Sequence, residues 1–81
     1  MPLVTSEQLR AARAMLRMQQ PQLAAAAGVS VNTISRIEGL DGPISARTDT
    51  VRRLQRALED AGVEFIDDGR PGVRVREPTP A

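Results

Sequence analysis

The stretch Pro21-Gln22-Leu23-Ala24-Ala25-Ala26-Ala27-Gly28-Val29-Ser30-Val31-Asn32-Thr33-Ile34-Ser35-Arg36-Ile37-Glu38 decides how this chain folds. Pro21 suits the first turn of a helix, where its missing N–H costs nothing, and Leu23, Ala24 and Ala27 follow as a buried stripe. Gly28 ends that helix, because a glycine just past a helix adopts the left-handed conformation without a Cβ penalty. Ser30 is placed to cap the next helix, which carries Ile34 and Ile37 inward and finishes at Gly39. Two short helices are therefore joined by about three residues, a tight connection of the helix-turn-helix kind. Helices crossing so closely need small side chains where they touch, and Ala24, Ala27 and Gly28 supply them. With Val29, Ile34 and Ile37 turned toward a core, Val31, Asn32, Thr33, Ser35 and Arg36 are left pointing outward.

Upstream, Thr5 and Gln8 stand three residues apart as in a capping box, with Val4 and Leu9 at the staple positions. Leu9, Ala12, Met15 and Leu16 then give an apolar stripe, with Arg10 and Arg17 toward solvent, so a first helix should run to about residue 17. Downstream, Gly42, Pro43 and Ser45 mark a loop over residues 40–47. Thr48 reads as an N-cap with Asp49 in the favourable first turn, and Val51, Leu54, Leu58 and Ala61 form the face of a fourth helix closed by Gly62. Beyond it the period changes to two. Val63, Phe65 and Asp67 alternate with Glu64, Ile66 and Asp68, then Val73 and Val75 with Arg74 and Arg76, around a turn at residues 68–72. The expected architecture is mainly α: four helices over residues 1–62, a C-terminal β-hairpin over 63–76, and a disordered tail over 77–81.

Composition narrows the chemistry. The 81 residues allow one small domain, which buries only about 60% of the surface of its unfolded chain. There is no cysteine, histidine, Trp or Tyr, so thiolate nucleophiles, disulfides and the commonest zinc ligands are missing. No carboxylate pair, nucleophile–base arrangement, metal-ligand set or phosphate-cradling glycine loop can be assembled, and neither an enzyme nor a cofactor is expected. Nothing approaches the roughly 20 apolar residues of a membrane span, and the N-terminus has no secretory pattern. A cytoplasmic protein, in the neighbourhood of the nucleoid, is the expectation. Net charge is only +1, and all eleven basic residues are arginine. GC-rich coding explains that bias on its own; guanidinium also suits bidentate contact with phosphate and guanine.

The run from Gln20 to Gly39, with Leu23-Ala24, Gly28, Val29-Ser30 and Ile34-Ser35-Arg36-Ile37-Glu38-Gly39 in one register, resembles the helix-turn-helix of Cro/C1-type (XRE, lambda repressor-like) transcriptional regulators. The likeness extends over about residues 5–61; the hairpin lies outside it. It implies double-stranded DNA as partner, with the N-terminal part of the recognition helix in the major groove and the preceding helix across the phosphates. Base reading then falls to Val31, Asn32, Thr33 and Arg36: Asn32 toward adenine, Arg36 toward guanine, and Val31 and the Thr33 methyl toward thymine methyls. Backbone positioning falls to Arg17, Gln20, Ser30, Ser35, Arg47, Thr48 and Arg52. The resemblance also implies a partly buried, structural salt bridge between Arg13 and Glu38.

One such domain contacts a short half-site, and operators are usually read by two-fold dimers with half-sites about 34 Å apart. The hairpin offers an exposed strand edge with Val63, Phe65, Ile66, Val73 and Val75, and is expected either to mediate homodimerisation or to pack on its own helices. A homodimeric repressor is the leading expectation. The antitoxin of a toxin–antitoxin pair, holding a protein partner through its C-terminus, and a module using the third helix for protein contact remain the alternatives.

Overall fold

The computed structural model describes residues 3–76, so the tail expected at 77–81 lies outside them. Four helices are followed by an antiparallel hairpin: α1 (Ser6–Leu16), α2 (Gln20–Ala27), α3 (Val31–Glu38), α4 (Thr48–Asp60), β1 (Val63–Asp67) and β2 (Pro71–Val75). One core joins every element. Leu9 and Ala12 of α1, Leu23, Ala24 and Ala27 of α2, Ile34 and Ile37 of α3, Leu54, Ala57 and Leu58 of α4, and Val63 and Phe65 of β1 are all buried.

Local chemistry sets the boundaries. The Thr5 hydroxyl accepts from the Gln8 N–H and the Gln8 side chain accepts from the Thr5 N–H, completing the capping box at α1. At its other end Arg17 takes the left-handed conformation, φ 56°, a position that favours glycine and costs an L-residue roughly 1 kcal/mol. Gly28 makes the same left-handed turn at the end of α2, φ 70°, where a Cβ is not strained by contact but by φ itself. Ser30 caps α3, its hydroxyl accepting from the Thr33 N–H at 3.1 Å.

Several expectations require correction. Thr48 is not the cap of α4: the N-cap is Arg47, with no side-chain cap bond, because the chain enters helical geometry one residue earlier. Ala61 falls past the end of α4 and is exposed, and Ala57, one turn before it, fills the core instead. Met15 is 48% exposed, since the stripe of α1 that meets the core runs through Leu9, Ala12 and Leu16. Arg10 is not left to solvent: it donates to the carbonyls of Glu38 and Leu40 and pairs with Asp41 at 3.1 Å. Pro71 and Gly72, expected in the turn, open β2.

The hairpin docks on its own chain. Its inner face, Val63 opposite Val75 and Phe65 opposite Val73, packs against the helical core. Val63 and Phe65 are 1% and 4% exposed, so neither side chain is available as the apolar dimer surface foreseen from sequence. A half-buried hairpin alternates apolar and polar residues whether its cover is its own helices or a second copy, which is why the pattern left both open.

Gln8 ties the hairpin to α1. Its carbonyl oxygen accepts from the N–H groups of Val4 and Thr5, and its amide donates to the Gly72 carbonyl at 3.0 Å. Gln8→Leu keeps the volume but strips these partners from a residue that is 2% exposed. We expect a loss of about 2 kcal/mol in urea unfolding, with hairpin amides exchanging faster than those of α3. Equal acceleration everywhere would show that Gln8 does not act on the hairpin in particular.

Candidate nucleic-acid interface

The candidate recognition surface is built on α3. Ile34 and Ile37 are 0% and 2% exposed and fix the rotation of the helix, so its other side is solvent-facing. Asn32, Ser35 and Arg36 are exposed and, at i, i+3 and i+4, are neighbours on one face. Val31 lies on one flank, 39% exposed. Thr33 lies on the other flank, half-buried, with its hydroxyl 2.8 Å from that of Ser30. The structure therefore brings Asn32 and Arg36 together and separates Val31 from Thr33. It also sets Ser35, expected at the DNA backbone, on the same exposed side of α3, beside Asn32. The signal that places it there is the i+3 spacing from Asn32, readable once the inward pair is known.

Behind this face, one ion-pair network holds the first three helices in register. Arg13 grips Glu38 with both ends of its guanidinium, Nε to Oε2 and Nη2 to Oε1, each at 2.6 Å. Its remaining nitrogen donates to the Met18 carbonyl at 2.8 Å, and the Gln20 amide donates to Glu38 Oε1 at 3.0 Å. The Glu38 side chain is 7% exposed and that of Arg13 21%. Arg13, Gln20 and Glu38 come from α1, α2 and α3, so the network fixes the angle at which α3 is presented. Gln20, expected at the backbone, is tied here by one of its two amide hydrogens.

Burial works to raise the Glu38 carboxyl pKa, but hydrogen bonds from Arg13 and Gln20 and the charges of Arg13 and Arg10 outweigh it, and the group sits below its ordinary value. Arg13 is raised in turn, first by its hydrogen bond to Glu38 against the opposing effect of burial. A carboxylate depressed in the folded state contributes stability that is complete above its unfolded pKa, about 4.3, and is lost as pH falls through the folded value. Wild-type stability should therefore decline below that pH, and Glu38→Gln should flatten this decline. An identical acid slope in the variant would remove Glu38 from the cause.

The arginines divide in two. Among the described residues, Arg10, Arg13, Arg53 and Arg74 have carboxylate partners in Asp41, Glu38, Asp49 and Glu64. Arg17, Arg36, Arg47 and Arg52, all four named from sequence for DNA contact, have none and are exposed, as are Arg56, Arg70 and Arg76. Arg36 and Arg47 line one surface depression with Ser45, which brings the loop before α4 beside the recognition helix. Thr48 and Arg52 line a second groove with Val4 and Ile44.

The family model for the helix-turn-helix, of the Cro/C1 (XRE) type, matches residues 9–59. This chain belongs to that family. The match spans α1 to α4 and leaves the hairpin outside. No curated protein gives a significant match. The Cro/C1-type assignment makes the protein a DNA-binding regulator, in a family that is regulatory and not enzymatic. Among the described residues, no cluster of acidic side chains is arranged to hold a metal ion, and no helix is long and apolar enough to cross a membrane.

Proposed function

We propose that this Cro/C1-type protein is a sequence-specific repressor that binds double-stranded DNA as a homodimer, laying α3 of each copy in the major groove. The observation that carries the reading is the placement of charge: carboxylates take up Arg10, Arg13, Arg53 and Arg74, while Arg36 on α3 and Arg47 beside it are exposed, have no carboxylate partner among the described residues and line one depression. Near-neutral proteins gain phosphate affinity only through such local concentration. Asn32 and Arg36 read bases, with Val31 and Thr33 meeting the groove from the two flanks. Arg17, Gln20, Ser30, Ser35, Arg47, Thr48 and Arg52 position the backbone.

Selection from a random duplex library tests this reading. The expected product is a palindromic consensus with half-sites about one helical turn apart, bound with an affinity that falls steeply with salt as counterions are released. Absence of enrichment, with no salt-dependent binding to any duplex, would reject it and favour a protein-contact role for the face of α3.

A further inference from the structure

The inner face of the hairpin is occupied by its own chain, but its two edges differ. In an antiparallel pair, successive residues alternately turn their N–H and C=O groups toward the partner strand and away from it. The Arg76 N–H donates to the Gly62 carbonyl at 2.8 Å, so Glu64 and Ile66 meet Arg74 and Gly72 in the hydrogen-bonded pairs. Val63, Phe65 and Asp67 on β1, and Pro71, Val73 and Val75 on β2, therefore point their backbone groups outward. On β1 that edge is closed, since Val63 and Phe65 are buried as whole residues. On β2, Val73 and Val75 pack their side chains on the core but are only partly buried, and Pro71 is exposed. Pro71 has no donor to offer, leaving two outward N–H groups and three outward carbonyls on β2.

We propose that β2 pairs antiparallel with β2 of a second copy of this chain, about a two-fold axis at Val73, to form one four-stranded sheet across the dimer. This interface rests on the homodimer reading above. The register follows from the outer face of the sheet. An axis at Arg74 would set two guanidinium groups directly opposite each other, a like-charge pair. An axis at Val73 sets Arg74 of each copy opposite Gly72 of the other. Gly72 has room for it: a Cβ there would meet nothing within 4 Å, and its neighbour on β1 is the half-exposed Ile66. The open space above Gly72 takes the Cβ end of the incoming Arg74, while its guanidinium keeps Glu64 of its own chain at 2.6 Å. Each row across the sheet then reads Ile66, Gly72, Arg74, Glu64 and is neutral. The two Val73 residues exchange hydrogen bonds, and each Val75 N–H meets the Pro71 carbonyl of the other copy.

The chain has no cysteine, so introduced thiols report the contact cleanly. Gly72→Cys mixed with Arg74→Cys and oxidised with diamide should give a disulfide-linked heterodimer, since this non-hydrogen-bonded pair sets the Cα atoms about 4.5 Å apart, within disulfide range. Neither variant alone should cross-link. Self-linking of Arg74→Cys would overturn the register at Val73. No product in the mixture, with the wild type dimeric in sedimentation, would overturn the interface. Because Arg74→Cys also removes the partner of Glu64, Gly72→Arg gives an independent reading: filling the notch should raise the dimer dissociation constant about tenfold or more with the helical circular dichroism unchanged. An unaltered constant would overturn the proposal. A chain that is monomeric throughout and binds its operator would overturn the interface and leave DNA binding standing; a dimer that binds no DNA would do the reverse.

Discussion

Replacing Glu38 by alanine should lower the free energy of unfolding by about 3 kcal/mol, because removing one member of a buried pair leaves the other charged and uncompensated. The magnitude is set by geometry. Glu38 is 7% exposed on its side chain and accepts two bonds at 2.6 Å from Arg13, whereas exposed pairs such as Arg53–Asp49 contribute little. The guanidinium of Arg13 keeps only the Met18 carbonyl once Glu38 is gone, and the Gln20 amide loses its acceptor. For a domain whose whole stability is on the order of 5 kcal/mol, such a loss leaves about 2 kcal/mol and raises the unfolded fraction roughly a hundredfold, to about 3%. Urea unfolding followed by far-ultraviolet circular dichroism measures it, since the chain has no Trp or Tyr. Glu38→Gln, which keeps an acceptor but no charge, should fall between wild type and alanine. Arg13→Ala combined with Glu38→Ala should cost less than the sum of the single changes. A midpoint unmoved by Glu38→Ala would mean that the three helices hold their angles by apolar packing alone.

The sequence disclosed most of this arrangement where one residue type has one physical reason to stand at a position. Gly28 and Ser30 bracket the turn, Thr5 and Gln8 form the capping box, and Ile34 and Ile37 set the inward side of α3. What it concealed depends on contacts between distant segments. Gln8 reads as a capping residue, and nothing local reveals that its amide also reaches Gly72, 64 positions away. Arg10 reads as a solvated charge until the loop after α3 folds back over it with Asp41. Alternation in Val63, Phe65, Val73 and Val75 shows that one face of the hairpin is covered but not by what, and the cover proves to be the chain's own helices. Ser35 belongs to the outer face of α3 by the same periodicity that places Ile34 and Ile37, and its function follows from the groove it would enter, which lies outside the chain.

Arg36→Ala should reduce affinity for the selected operator by about 100-fold, and the form of the loss identifies its cause. One bidentate arginine–guanine contact discriminates by roughly 1–3 kcal/mol, and a two-fold dimer loses it in both half-sites. Arg36 is exposed, has no carboxylate partner among the described residues and sits one helical turn after Asn32, so its removal disturbs neither the core nor an ion pair. Folding stability should accordingly stay within about 0.5 kcal/mol of wild type. If Arg36 reads a base, the variant loses preference at one position of each half-site, while affinity for unrelated duplexes stays close to that of wild type. Arg47→Ala provides the contrast. Arg47 stands at the N-cap of α4 beside the same depression; as the proposed phosphate contact, its loss should weaken every duplex alike and reduce the salt slope by about one per half-site. The two variants thus separate reading from holding on a single patch of surface. If Arg36→Ala instead weakens all sequences equally and flattens the salt dependence, Arg36 holds the backbone, and base selection passes to Asn32 with Ser35 and Val31 beside it.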